Sequence, residues 1–193
     1  MSDSRHDLTA ADLAAARRRE PEAVARVYHA HANAVFRFFL AWTGDKQVAC
    51  DLTGSVFAAA IQTLPTFRGP VQALPVWLFG IAHHNLGAFR QQRKRSATLP
   101  IDSQVEQTTG TGGEADAEAI AIDRLPHDRA LAASRHLPAE QREVLLLRMV
   151  GLRASEVADV LGTTPGAVTA LQRHALMRLA HLLGVLPQPW VRG

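Results

Sequence analysis

A stretch without any basic residue divides this 193-residue chain into two basic parts. Residues 101–123 contain six acidic residues and neither lysine nor arginine, whereas residues 1–100 carry a net charge of +5 and residues 124–193 a net charge of +4. Within that stretch, Ser103 to Ala117 is rich in glycine, threonine, glutamine and acids, which is typical of a flexible linker. The chain therefore predicts two modules at 1–97 and 124–187, an acidic linker at 98–123 and a tail at 188–193.

The composition is that of a folded protein in a reducing compartment. Hydrophobic residues make up 47% of the chain, which is enough to fill a core. No run approaches the roughly 18 uncharged apolar residues that a membrane span needs, and the N-terminus lacks the apolar core of a secretory signal. The single cysteine, Cys50, cannot form an internal disulfide, so we interpret it as a small buried residue. We therefore expect a cytoplasmic protein that does not insert into a membrane.

Apolar residues in the first module recur at steps of three and four, which is the period of amphipathic helices. The spacing predicts helices over Thr9–Arg19, Pro21–Trp42, Lys46–Leu64 and Leu74–Arg95. Gly44 and Pro65 mark helix ends, and residues 66–73 form a predicted loop. Because no stretch alternates as a strand would, the sequence predicts an all-α fold.

The second module begins near Leu125 and predicts four short helices, of which the last two carry the clearest signal in the chain. Residues 155–161 read as a helix that ends at a left-handed Gly162, and Thr164 caps a further helix that begins at Pro165. Two helices joined by such a turn form a helix-turn-helix, which places its second helix in the major groove of DNA. An ordinary pair of packed helices is the alternative interpretation.

Side chains on the outer face of that second helix are the candidates for reading bases. Arg173 can donate two hydrogen bonds to guanine, Gln172 can pair with adenine, and Ala170 can pack on a thymine methyl group. Free backbone amides at the start of the helix suit a phosphate. The full candidate set on this surface is Thr164, Gly166, Thr169, Ala170, Gln172, Arg173, His174 and Arg178.

Residues 137–179 (LPAEQREVLLLRMVGLRASEVADVLGTTPGAVTALQRHALMRL) resemble the C-terminal domain of extracytoplasmic-function (ECF) sigma factors of bacterial RNA polymerase, in an actinobacterial variety. The first module resembles their N-terminal domain over Ala23 to Arg95. The landmarks there are Asp51-Leu52-Thr53 with Phe57, Phe67-Arg68-Gly69, Trp77-Leu78-Phe79-Gly80-Ile81-Ala82 and the basic stretch Arg90 to Arg95. The resemblance implies a two-domain protein that binds core RNA polymerase and directs promoter-specific initiation.

In this family, the helix that carries Asp51, Leu52 and Thr53 docks on the clamp coiled coil of the largest polymerase subunit. A carboxylate at that place can hold an arginine through two hydrogen bonds. Stabilisation of the helix N-terminus is the alternative role for Asp51. The family commonly has Gln-Glu where this chain has Gly54-Ser55, so part of the polar docking surface differs.

The resemblance further implies that the loop Phe67-Arg68-Gly69 captures a base flipped out of the minus-ten promoter element. An aromatic ring can stack on an extruded base, and an arginine can hold a phosphate. Core packing is the alternative role for Phe67. On the following helix, Trp77 and His84 complete the predicted minus-ten surface.

Two departures from the family bear on DNA contacts. Gly80 and His84 stand where the family often has a base-facing arginine and an asparagine. The candidates for contacts to the DNA backbone are Arg90, Arg93, Lys94 and Arg95 of the basic stretch. A solvated helix end is the alternative for that stretch. The C-terminal domain reads the minus-thirty-five element in this family, and the basic residues usual at the positions of Thr169 and Leu171 are missing here.

The acidic linker corresponds to the segment that, in this family, threads through the active-site cleft and the RNA-exit channel. Its charge suits a mimic of the transcript, with a plain spacer as the alternative. The implied partners are core RNA polymerase, promoter DNA and an anti-sigma factor, although nothing in the sequence identifies the last.

Two other classes of protein compete with a sigma factor. A stand-alone helix-turn-helix regulator would share the second module but has no use for the Asp51 helix or the Phe67 loop. A helical metalloenzyme is suggested by nine histidines, but no Glu-x-x-His occurs, and His29 and His31 face different sides of a helix. We therefore expect no catalytic residue, no metal and no cofactor.

Overall fold

The computed structural model describes residues 8–98 and 129–185, and every regular element within these two ranges is helical. The all-α prediction is therefore confirmed for this part of the chain. The first module contains α1 (Ala10–Arg17), α2 (Pro21–Thr43), α3 (Lys46–Thr63) and α4 (Leu74–Thr98), with short 3-10 turns at Leu64–Thr66 and Val71–Ala73. The second module contains α5 (129–134), α6 (Ala139–Met149), α7 (Ala154–Leu161) and α8 (Pro165–Leu182).

Local capping chemistry explains where several helices begin and end. The Thr9 side chain accepts a hydrogen bond from the Asp12 backbone N–H, and the Asp12 carboxylate accepts one from the Thr9 N–H. Asp45 Oδ1 caps α3 by accepting from the Val48 N–H at 3.1 Å. Gly44, at a φ of 72°, ends α2 in the left-handed conformation that favours glycine.

The first module has two apolar clusters. The larger packs α2, α3 and α4 together through Phe38, Val56 and Leu78. The smaller lies under α1, where Leu13 and Leu74 are buried with Phe67 and Trp77 at its edge. The second cluster therefore connects α1 to the predicted minus-ten loop.

Helix α3 differs from the sequence prediction at Cys50. The Cys50 prediction is wrong, because Cys50 is exposed. The buried residues Ala49 and Thr53 occupy the inner face, and Cys50 lies about 100° around the helix from Ala49. By length and mean hydropathy, Lys46–Thr66 is also long and apolar enough to cross a membrane. Only 33% of its most apolar window is buried, so packing into the larger cluster accounts for part of that composition.

The two modules pack against each other in the described part of the chain. Helix α7 lies against α4, and α6 lies against the end of α2. The larger apolar cluster continues across this boundary, from Phe38 and Phe79 in the first module to Leu146 and Val157 in the second. The predicted linker and tail lie almost wholly outside the described residues.

Candidate nucleic-acid interface

The turn between α7 and α8 has the geometry predicted for a helix-turn-helix. Gly162 adopts a left-handed φ of 63°, and Thr164 Oγ1 accepts a hydrogen bond from the Ala167 N–H at 3.2 Å. Val157 and Val168, one from each helix, are fully buried. This packing confirms the predicted turn and determines which face of α8 points outward.

Most of the predicted base-reading residues lie on that outward face. The exposed members are Thr164, Gly166, Thr169, Ala170, Arg173, His174 and Arg178. The Thr169 hydroxyl donates to the Pro165 carbonyl at 2.9 Å, which holds it against its own helix. Arg173 and His174 are consequently the exposed long side chains nearest the start of α8.

Gln172 is the exception, because it is half-buried and already hydrogen-bonded. Its Oε1 accepts from Arg148 Nε at 3.1 Å, and Arg148 Nη1 also donates to the Leu152 carbonyl. A bidentate contact to adenine needs both the oxygen and the amide group of a glutamine. Gln172 must therefore leave Arg148 before it can read a base in the predicted manner.

The predicted polymerase-binding residues divide by exposure. Asp51 is exposed and accepts from Gln47 Nε2 at 3.1 Å, whereas the buried Thr53 donates to the Ala49 carbonyl at 2.7 Å. Leu52 is half-buried against the larger cluster. Because α3 begins at Lys46, Asp51 lies beyond the first turn, where the helix dipole has little effect. The alternative role for Asp51 is thus disfavoured. Asp51 is the exposed member of the triplet, and its side chain can be reached by a partner.

The loop around Phe67 is folded against the first module. The Phe67 and Trp77 rings lie 4.9 Å apart at 37°, and the Arg17 guanidinium lies 5.5 Å from the Phe67 ring centre. A Cβ atom at Gly69 would come within 2.6 Å of Phe67 Cζ, so a glycine is needed for this close approach. Arg68 is exposed and donates to the Pro65 carbonyl at 2.8 Å. The Phe67 ring is therefore half-buried, with packing on the first module on one side and an accessible part on the other.

The predicted minus-ten face of α4 lies beside the second module. An open crevice of about 530 Å³ is lined by Trp77, Gly80 and His84 on one side and by Asp159 and Val160 of α7 on the other. His84 itself is exposed. In this arrangement α7 occupies the space immediately next to the surface that would meet DNA.

The basic end of α4 is only partly a solvated surface. Arg90 lies 5.4 Å from the Trp42 ring centre, and Arg93 lies 5.9 Å from the Phe89 ring centre. Arg93 and Lys94 are exposed, whereas Arg90 is half-buried. Arg90 is therefore more constrained than Arg93.

Sequence reasoning missed the residues that join the two modules. Arg142 of α6 is buried, with only 7% of its surface exposed. Its Nη2 donates to the Ala41 carbonyl at 2.6 Å and to the Trp42 carbonyl at 2.8 Å. Its guanidinium lies 4.5 Å from the Trp42 ring centre. Burial, with a smaller effect from Arg135, lowers the pKa of Arg142 to about 10, so it stays charged at neutral pH.

A second polar contact lies beside Arg142. His83 Nδ1 of α4 is 2.6 Å from Glu143 Oε1 of α6, and Glu143 is buried. The available signal was their spacing, because Leu146 lies four positions after Arg142 and Leu147 lies four positions after Glu143, so each charged residue shares a helix face with a buried leucine. Among residues 8–98 and 129–185, no three potential metal ligands come together.

Two family models match this chain, one in each module. Sigma-70 region 2 matches residues 27–96, and Sigma-70 region 4 matches residues 127–179. The ECF RNA polymerase sigma factor ShbA of Streptomyces griseus is 32% identical over 136 residues, which cover 68% of this chain and 70% of ShbA. This chain belongs to the ECF RNA polymerase sigma factors.

Other ECF sigma factors are similarly related. SigD of Mycobacterium tuberculosis is 35% identical over 132 residues, or 68% of this chain, and BldN of Streptomyces coelicolor is 33% identical over 172 residues, or 85% of this chain. In both cases the matched part spans 61% of the relative's own length. The predicted actinobacterial resemblance is confirmed by these relatives.

Solved structures support the fold. CnrH in complex with the cytosolic domain of CnrY has a TM-score of 0.67 at 21% identity, covering 93% of this chain and 99% of CnrH. RpoE of Bartonella quintana in complex with the anti-sigma factor NepR has a TM-score of 0.63 at 20% identity, covering 83% of this chain and 96% of RpoE. At these identities the likeness concerns the helical architecture of an ECF sigma factor alone.

Proposed function

We propose that this ECF sigma factor binds core RNA polymerase and directs initiation at promoters by reading a minus-ten and a minus-thirty-five element. The observation that carries the proposal is the helix-turn-helix, whose capped second helix presents Arg173, His174 and Arg178 to solvent. A positively charged, exposed recognition helix is what binding in the major groove requires. The chain itself supplies no catalytic residue, because nucleotide addition belongs to the polymerase.

The second module reads the upstream element through α8. Arg173 is exposed two turns into the helix, where a side chain reaches base edges, and Arg178 is exposed more than a turn further on. We assign base reading to Arg173 and His174 and phosphate binding to Arg178. Gln172 contributes only after it exchanges its bond to Arg148 for one to a base.

The first module binds the polymerase and opens the minus-ten element. Asp51 supplies an exposed carboxylate for an arginine on the polymerase clamp. The Phe67 loop lies next to Trp77 at the start of α4, and the basic end of the same helix can hold the DNA backbone. Base capture and phosphate binding are thus assigned to the two ends of α4.

Reading two promoter elements requires the modules to separate. Elements centred about 25 base pairs apart lie roughly 85 Å apart on straight duplex, at about 3.4 Å per base pair. Helices α4 and α7 touch each other here, with Asp159 and Val160 beside the minus-ten face. The modules must therefore move apart on the polymerase.

We further propose that an anti-sigma factor binds this chain while its two modules are packed together, as the anti-sigma factor NepR binds RpoE of Bartonella quintana.

The decisive test of the function is transcription in vitro with purified core polymerase on genomic fragments, followed by start-site mapping. A sigma factor gives defined start sites that disappear when the chain is omitted. A stand-alone regulator would bind DNA but give no start sites and would not be retained by core polymerase in a pull-down.

A further inference from the structure

Helix α1 precedes the part of the chain that the Sigma-70 region 2 model matches, which begins at residue 27. It is nevertheless attached firmly to the first module. Asp12 Oδ1 is 2.8 Å from Arg26 Nε on α2, and Leu13 and Ala16 are buried in the smaller apolar cluster. The position of the last turn of α1 is therefore determined by the module itself.

That last turn carries Arg17 to the predicted minus-ten loop. Arg17 Nη2 donates to the Gly69 carbonyl at 2.6 Å, a contact between residues 52 positions apart in the sequence. The same guanidinium lies 5.5 Å from the Phe67 ring centre. Arg17 thus contacts both the backbone of the loop and the aromatic side chain assigned to base capture.

The other hydrogen bonds of the loop join residues close in sequence, and its remaining hold on the module is the packing of the Phe67 ring against Trp77 and the smaller cluster. The Phe67 N–H donates to the Leu64 carbonyl, and Arg68 donates to the Pro65 carbonyl, each three positions away. A charged donor to a carbonyl is a stronger tether than a neutral hydrogen bond. The bond from Arg17 ties the turn at Gly69 to a helix outside the loop.

We propose that Arg17 is a positioning residue for the minus-ten loop, which makes α1 part of the promoter-opening site. The inference rests on the proposed function. Extrusion of a base is unfavourable by a few kcal/mol, so a loop that is already held in shape captures the base at a smaller loss of conformational freedom. Arg17 maintains that shape by fixing the Gly69 carbonyl and covering part of the Phe67 ring.

The test compares Arg17→Met with Arg18→Met in holoenzyme reconstituted on a promoter found by start-site mapping. Methionine keeps an apolar stem and removes the donors, and Arg18 is an exposed arginine of the same helix end that pairs with Glu20. We expect Arg17→Met to slow open-complex formation, measured by permanganate reactivity of unpaired thymines, by about tenfold to a hundredfold. Core affinity should stay within about twofold of the wild type, as for Arg18→Met.

A purely structural role for Arg17 predicts something different. It would lower thermal stability and core affinity, and it would reduce initiation equally at every minus-ten variant. A positioning role instead flattens the preference for one base among single-base variants of the minus-ten element. Arg17→Lys, which keeps a charged donor but not the planar fork, should recover part of that preference.

Gly69→Ala provides a second route to the same site, since its Cβ would meet Phe67 Cζ at 2.6 Å. Gly87→Ala is the matched control, because a Cβ there meets nothing within 4 Å. We expect Gly69→Ala to reproduce the Arg17→Met profile of base preference. Equal behaviour of Arg17→Met and Arg18→Met with an active wild type would overturn the inference, whereas absence of defined starts with the wild type would overturn the proposed function instead.

Discussion

The buried Arg142 gives the sharpest test of how the two modules are held together. Arg142 Nη2 bonds the Ala41 and Trp42 carbonyls at 2.6 and 2.8 Å, and the guanidinium lies over the Trp42 ring. Both carbonyls belong to the last turn of α2, where orphan acceptors and the negative end of the helix dipole favour a cation. Arg142→Met removes all of these interactions while it keeps much of the side-chain volume.

The size of the effect follows from opposing contributions. Hydrogen bonds to a charged group contribute about 1.5–3 kcal/mol each, and a desolvated cation–π contact about 2 kcal/mol. Burying the guanidinium costs several kcal/mol, which offsets much of that gain. We therefore expect Arg142→Met to weaken module packing by about 2–4 kcal/mol, roughly a 30- to 700-fold shift toward separated modules.

Energy transfer between two dyes measures this shift directly. Cys50 is exposed on α3 and can carry one dye, and Thr163→Cys, at an exposed position, supplies the second site. Transfer should be high in the parent chain and fall in Arg142→Met, with helical circular dichroism retained. Arg173→Met, which removes an exposed arginine from the same module, is the control. Unchanged transfer together with unchanged unfolding stability would refute the assigned role of Arg142.

Three further outcomes are expected. Asp51→Arg should weaken core binding about tenfold to a hundredfold in a direct titration while the melting curve stays unchanged, because Asp51 is exposed. Hydrogen bonds from Thr9, with a contribution from Arg26, hold the pKa of Asp12 below its usual range. The Asp12 carboxylate therefore stabilises α1 at pH values above its pKa in the unfolded chain, and this stabilisation is lost as the pH falls through its lower pKa in the folded chain. Hydrogen exchange of α1 amides should show this loss in the parent chain but not in Asp12→Asn. Arg173→Ala should relax base preference at one upstream position, whereas Arg178→Ala should weaken all sequences alike and lower the salt slope by about one, in holoenzyme titrations at several salt concentrations.

The parts of the structure that sequence reasoning found depend on local chemistry. The left-handed Gly162 and the Thr164 cap form contacts within four residues of themselves, so their consequences can be read from the chain. The same holds for Gly44 at the end of α2. These caps determine the helix-turn-helix and thereby the outward face of α8.

The contacts that sequence reasoning missed join residues far apart. Arg142 bonds backbone carbonyls about a hundred positions away, and a carbonyl carries no side-chain signature. Arg17 reaches Gly69 in the same manner. Cys50 was misjudged because α3 is apolar on more than its inner face, so periodicity did not separate Cys50 from Ala49. The exposure of a residue therefore followed from packing between helices and not from its own chemistry.

The module boundary combines a continuous apolar cluster with a few polar contacts that can be replaced when the modules separate. The polar contacts join Arg142 to carbonyls of α2 and His83 to Glu143. When the modules separate, each of these polar groups can form hydrogen bonds with water in place of its present partner. The apolar part of the boundary, with Phe79 and Val157, loses its hydrophobic stabilisation with no such replacement when the modules separate. At Gln172 the same logic applies on a smaller scale, because Arg148 satisfies the amide oxygen until a base can take its place. Binding to polymerase and DNA then has to offset both the polar exchanges and the exposure of this apolar surface. Because Arg142→Met weakens the module packing, it should bind core polymerase more tightly than the parent chain does in a direct titration.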